Sequence, residues 1–237
     1  MMTFRLRNIN KQYALPLKFK TIKNRENFLV SKSNQEAVKL IENSKFWKTR
    51  NKINSIPAAI IYGPKGSGKT HLSKIFESVV NANYLTSLSS DCLEEVIEGK
   101  NFILDDFIPG KNFPSELVMH FINQVTYKEC SVLFLSRLSP FEMNWNLEDL
   151  NSRIRSLVSS EITLPDDVLL YSFMVKYLND KNLILSDKKL IYILERLDRS
   201  FENVIEIIDR LDMHSLEEKK KVTYKTINIV LHELNKN

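Results

Sequence analysis

Gly63-Pro64-Lys65-Gly66-Ser67-Gly68-Lys69-Thr70 directly follows the apolar run Ala58-Ala59-Ile60-Ile61-Tyr62. The octet fits G-x-x-x-x-G-K-[ST], a spacing whose chemistry is phosphate binding. Its glycines let the backbone turn inward so that consecutive N–H groups point at an anion. Lys69 adds a point charge toward the β- and γ-phosphates, and the Thr70 hydroxyl is placed to ligate Mg2+. A helix opening at His71 turns its positive end to the same anion. His71 completes the set expected near the cofactor, although packing accounts for it as well. Three of the five glycines fall in this octet, a concentration that ordinary turn chemistry does not require. The stretch implies a site for a nucleoside tri- or diphosphate, ATP or ADP, with Mg2+.

A second constellation completes that chemistry. Phe102-Ile103-Leu104 reads as an apolar strand ending in Asp105-Asp106. Asp105 is expected to hold Mg2+ with Thr70, partly through water, and Asp106 to orient or activate the attacking water. Ser136 closes the next apolar strand and is placed to sense the γ-phosphate or that water. Arg153 lies in Asn151-Ser152-Arg153-Ile154-Arg155, near the end of a helix. By spacing alone it is either a surface ion-pair partner or a finger reaching a nucleotide on a neighbouring subunit.

The elements that must position these residues alternate. Strands are expected at 58–62, 84–86, 101–104, 131–135 and 161–164. Helices are expected at 92–97, closed by Gly99, at 114–127 and at 147–158. An earlier helix is expected after Asn34, a plausible N-cap. Continuous apolar strands alternating with helices imply an α/β fold, a parallel five-stranded sheet covered on both faces. Ligands in such sheets sit at the carboxyl ends of strands, where the octet, Asp105, Asp106 and Ser136 all fall. Pro165 ends the alternation. Helices are then expected at 166–178, 186–197, 200–211 and 223–234, a small all-α domain. The division expected is an extended arm at 1–27, a nucleotide-binding domain at 28–164 and a helical domain at 165–237.

Composition narrows the class. A hydrophobic fraction of 43% and a charged fraction of 27% over 237 residues fit a globular chain with ample core. No apolar run approaches the roughly 20 residues that span a bilayer, and the amino terminus lacks the apolar core of a signal peptide. Cys92 and Cys130 lack metal-ligand spacing and read as reduced thiols, so a cytoplasmic, membrane-free protein is expected. The net charge of +5 mildly favours an acidic partner such as DNA. The lysine clusters at 18–23, 45–52 and 219–221 read equally as solvated surface.

Within the arm, Gln12-Tyr13-Ala14-Leu15-Pro16-Leu17 is extended, because Pro16 biases Leu15 away from helix. Such a segment can dock as a strand-like peptide, its leucines in apolar pockets, or pack on its own domain.

Taken together, Phe28 to Asn34, the octet with His71-Leu72, Asp105-Asp106 and Leu150-Asn151-Ser152-Arg153 resemble the DnaA family of AAA+ ATPases over about residues 12–235. The resemblance implies a P-loop AAA+ sheet domain followed by a helical lid. It makes Arg153 the family's box VII arginine finger, presented to ATP held by DnaA. The hexapeptide resembles the sliding-clamp-binding peptide of Hda, the DnaA-related regulatory inactivators. That resemblance implies docking through Gln12, Leu15 and Leu17 on the β subunit clamp of DNA polymerase III, with DNA reached mostly through the clamp. Where many relatives carry a sensor II arginine this chain has Glu202, with Arg199 about one turn earlier as a substitute. ATP hydrolysis in cis is therefore expected to be weak. Other readings are a helicase loader of the DnaC type and a non-catalytic DNA-associated scaffold. The resemblance leaves open whether the chain is a monomer or a homo-oligomer.

Overall fold

The computed structural model describes residues 29–43, 46–47, 58–218 and 221–234. The clamp-like peptide with Gln12, Leu15 and Leu17 lies outside the described residues, as do the lysines of the first two clusters.

The elements in chain order are α1 (Gln35–Glu42), β1 (Ala58–Tyr62), α2 (Lys69–Val80), β2 (Ala82–Leu85), α3 (Ser90–Glu94), β3 (Asn101–Leu104), α4 (Ser115–Tyr127), β4 (Val132–Ser136), α5 (Glu148–Ser156) and β5 (Val158–Glu161). Four further helices follow: α6 (Asp167–Asp180), α7 (Asp187–Leu194), α8 (Phe201–Glu218) and α9 (Tyr224–Leu234). The five strands form one parallel sheet in the order β2-β3-β4-β1-β5, as the apolar runs imply.

Period-two alternation explains why the central strands are apolar throughout. Ala58, Ile60, Phe102, Leu104 and Phe134 face one side, against Phe121 of α4 and Leu150 and Ile154 of α5. Ala59, Ile61, Ile103, Leu133 and Leu135 face the other, against Val38 and Ile41 of α1 and Leu72 and Phe76 of α2. A third core belongs to the last four helices, around Met174, Ile193, Ile207 and Val230.

Several boundaries differ from expectation. β5 spans 158–161, three residues earlier than the apolar reading of 161–164. It is an edge strand that pairs only with β1 through its backbone, so its exposed Val-Ser-Ser-Glu needs no apolar face. The buried Ile162 that dominates the sequence signal lies just beyond, its N–H donating to the Tyr62 carbonyl at 2.7 Å. α3 ends at Glu94, and Gly99 (φ +81°) sits in a separate turn. Asn34 does not cap α1. Its side chain turns back to accept from the Ser31 N–H and to donate to the Leu29 carbonyl, both at 3.0 Å.

In the helical region Asp166, Ser200 and Thr223 cap α6, α8 and α9 with side-chain bonds of 2.7, 3.0 and 3.2 Å. Ser186 makes no such bond at α7. Cys130 is buried and Cys92 half-buried, both free. Among the described residues no helix is long and apolar enough to cross a membrane.

Asn151 fixes the approach to α5. Its buried amide accepts from the Trp145 N–H and donates to the Trp145 carbonyl, each at 2.9 Å. Asn151→Ala strands both backbone groups and is expected to cost about 2–4 kcal/mol. A thermal melt followed by circular dichroism should show a Tm lower by about 5–15 °C.

Candidate functional site

The carboxyl ends of β1, β3 and β4 meet at the loop between β1 and α2. Gly63 is held in register by its N–H, which donates to the Ser136 carbonyl at 3.1 Å. Its φ is +151°, and a Cβ there would lie 2.0 Å from the Ile162 carbonyl oxygen, so only glycine fits. Gly66 (φ +77°) meets a different neighbour: a Cβ would come within 2.8 Å of the Ser200 Cβ at the start of α8. The phosphate-type loop therefore lies directly under the helical domain.

Lys69 follows the loop, only 9% exposed, and donates to the carbonyls of Gly63 (2.7 Å) and Pro64 (2.8 Å), with Ser67 Oγ at 3.5 Å. Burial pushes its ammonium pKa below the usual lysine value, opposed by the Asp105 carboxylate nearby. Thr70 donates from Oγ1 to Asp105 Oδ2 at 3.1 Å, and the Tyr84 hydroxyl of β2 donates to the same oxygen. Desolvation and this bond to Asp105 both raise the Tyr84 phenol pKa. Asp106 has φ +52° and its N–H donates to Asp105 Oδ1 at 2.8 Å. Both its oxygens accept from Arg137, at 2.9 and 3.2 Å.

These groups border an open cavity of about 610 Å³. Lys65, Lys69, Arg137 and Lys176 supply positive charge to it, and Asp105, Asp106 and Glu202 negative charge. Leu29, Phe173, Phe201 and Ile205 form an apolar wall suited to a flat aromatic group. Thr70 and Asp105 place a hydroxyl and a carboxylate side by side at the cavity, a hard oxygen pair that fits Mg2+ with water completing its shell.

The structure brings most, not all, of the expected residues to this cavity. Lys65, Gly66, Gly68, Lys69, Thr70, His71, Asp105 and Asp106 line it. Gly63, Pro64 and Ser67 lie behind, satisfying the Lys69 ammonium. Ser136 does not line it. It is fully buried and accepts the Leu138 N–H on its Oγ at 3.0 Å. Arg199 pairs with Asp167 of α6 at 3.0 Å and does not line the cavity. Glu202 does reach the cavity, 3.7 Å from Lys65.

Arg153 stands apart. It borders a second cavity with Ala58, Val132 and Val158, the first residues of β1, β4 and β5, at the opposite end of the strands from the phosphate-type loop. Its Nε donates to Asp149 at 3.1 Å and its Nη1 to Asn123 at 2.8 Å. Sequence reasoning missed Arg137 and Tyr84. The only local signal for Arg137 is its place immediately after a strand-closing serine.

A parallel sheet in this strand order, with a loop of this kind after β1 and a separately cored helical region above it, is the architecture of the AAA+ fold. Domain III of the replication initiation protein DnaA from Thermotoga maritima superposes with a TM-score of 0.70 at 19% identity, over 87% of this chain and 94% of that one. AMPPCP-bound DnaA from Aquifex aeolicus gives 0.64 at 18% identity, over 80% of this chain and 65% of that one. A Haemophilus influenzae protein described as uncharacterized is 25% identical over 189 residues, 74% of this chain and 82% of its own. Residues 170–231 match the family described as Hda, lid domain. The chain thus has the fold of the DnaA AAA+ domain, and its last helices are similar to an Hda lid.

Proposed function

We propose that this chain is an Hda-like regulator of replication initiation: it binds ADP or ATP with Mg2+, docks on the sliding clamp, and promotes hydrolysis of ATP bound to DnaA. In this reading residues 1–27 carry the clamp peptide, 28–164 the nucleotide-binding domain and 165–237 the lid. The phosphates take the loop N–H groups and Lys69, Thr70 and Asp105 hold the metal, and the apolar wall takes the base. The Mg2+ neutralises charge on the phosphate oxygens when bound. Asp106, which lines the same cavity, would orient or activate the attacking water.

The observation that carries the trans activity is the position of Arg153. Its guanidinium, on a side chain 44% exposed, stands away from the cavity of its own chain, held only by an exposed aspartate and an asparagine. An arginine that cannot serve its own site is free to enter another. The similarity of the lid to Hda and the likeness of the fold to DnaA support DnaA as the partner whose ATP it would meet. The test is hydrolysis of ATP pre-bound to the cognate DnaA, with clamp loaded on DNA. Stimulation by the full chain, lost on Gln12→Ala/Leu15→Ala and on Arg153→Ala, supports both contacts. No stimulation by a chain that still binds nucleotide overturns the reading.

A further inference from the structure

Arg137 gives Asp106 both edges of its guanidinium fork, Nε to Oδ1 and Nη2 to Oδ2. Asp106 is in turn joined through its N–H to Asp105, which already accepts from Thr70 and Tyr84. The floor of the cavity is thus a continuous chain of bonds from Arg137 to Tyr84. A carboxylate orients a water only through an oxygen that is able to accept from it. In hydrolysis the water oxygen bonds the γ-phosphorus, the bond from that phosphorus to the β–γ bridging oxygen breaks, and the nucleoside diphosphate leaves. The water proton passes through the carboxylate to the released phosphate.

We propose that Arg137 is a positioning residue that withholds Asp106 from the attacking water, so that the site retains a nucleoside triphosphate without turning it over until this pair opens. The proposal rests on the nucleotide-binding reading above. Both side chains are about half exposed, 52% and 53%, so burial does not lock the pair and a competing anion or contacting partner can open it. Lys65 and Lys69 border the same cavity, which leaves cations for the phosphates while Arg137 is engaged. Asp106 holds a left-handed backbone conformation, uncommon outside glycine, which presents its carboxylate toward the end of β4.

The experiment uses the full chain with Mg2+ and measures two things separately: affinity for a fluorescent ATP analogue, and single-turnover hydrolysis of ATP. Arg137→Gln should raise the hydrolysis rate about tenfold or more, a modest part of what a positioned base supplies, with the affinity essentially kept. Arg137→Lys should fall between, because an ammonium cannot cover both oxygens. Arg137→Gln/Asp106→Asn should return to the slow rate of the parent. A loss of affinity with no gain in rate would make Arg137 a phosphate ligand and overturn the proposal. So would a double variant as fast as Arg137→Gln. A parent chain that binds ATP beside an Arg137→Gln variant no faster than it overturns the proposal alone. A parent chain that binds no nucleotide overturns the underlying reading as well.

Discussion

Arg153→Ala is expected to remove the stimulation of DnaA-bound ATP hydrolysis, a loss of ~10³-fold or more where an arginine finger acts. The size of the effect follows from what the guanidinium does at the transition state. In the proposed role it would meet charge spreading over the γ-phosphoryl oxygens, where a charge-assisted fork is strong. Little opposes its transfer. The present bond to Asp149 is an exposed pair one turn away on the same helix, worth roughly 0.3–0.5 kcal/mol. The bond to Asn123 is a single neutral acceptor. Arg153→Lys should fail almost as fully, since an ammonium offers a point charge rather than a planar fork. The measurement is release of labelled phosphate from DnaA loaded with ATP, with clamp on DNA. Both variants must be shown to bind nucleotide and clamp as the parent does. Full stimulation by Arg153→Ala would exclude the finger and leave a scaffolding role.

Lys69→Ala carries the second large effect, a fall in affinity for ATP and ADP of about 10²–10³-fold, equivalent to ~3–4 kcal/mol. The ammonium donates to the Gly63 and Pro64 carbonyls. Phosphate oxygens would replace these neutral acceptors with charged ones, and hydrogen bonds to charged groups are worth roughly 1.5–3 kcal/mol each. Burial that lowers the Lys69 pKa marks the same tension: the charge is partly desolvated before a ligand arrives, and an anion relieves it. Isothermal titration checks the prediction, with a melt recorded alongside, because truncation also leaves two loop carbonyls without their donor. Affinity within a factor of a few of the parent would remove the phosphate assignment.

The sheet and the phosphate-type loop were legible for a common reason. Each is encoded by neighbours in sequence: an apolar run buried on both faces, or eight residues whose chemistry is set by spacing. Two lid caps, Ser200 and Thr223, were legible likewise, as short polar residues ahead of periodic ones, whereas Ser186 has the same residue type and makes no cap bond. β5 was not, because an edge strand joined through its backbone carries no apolar signature, and Ile162 beyond it drew the reading forward. Asn34 had the residue type of a cap, but a turn against Leu29 and Ser31 claimed its side chain. At the site, Tyr84 and Arg137 escaped because their meaning is tertiary. Each acquires a partner only when β2, β3 and β4 align, and no period in the chain connects Tyr84 to Asp105 or Arg137 to Asp106. Ser136 shows the converse: it closes a strand beside the loop, yet it is fully buried and outside the cavity lining, with its Oγ accepting from the next turn.

The contact of Ser200 and Phe201 with Gly66 and Gly68 bears on the timing of exchange. The cavity is a seam between two separately cored bodies, with the loop on one side and Phe173, Phe201 and Ile205 on the other. A molecule bound there would touch both bodies. Residence time would then follow the cost of swinging one body from the other, and a partner that grips either body could set the clock without touching the ligand.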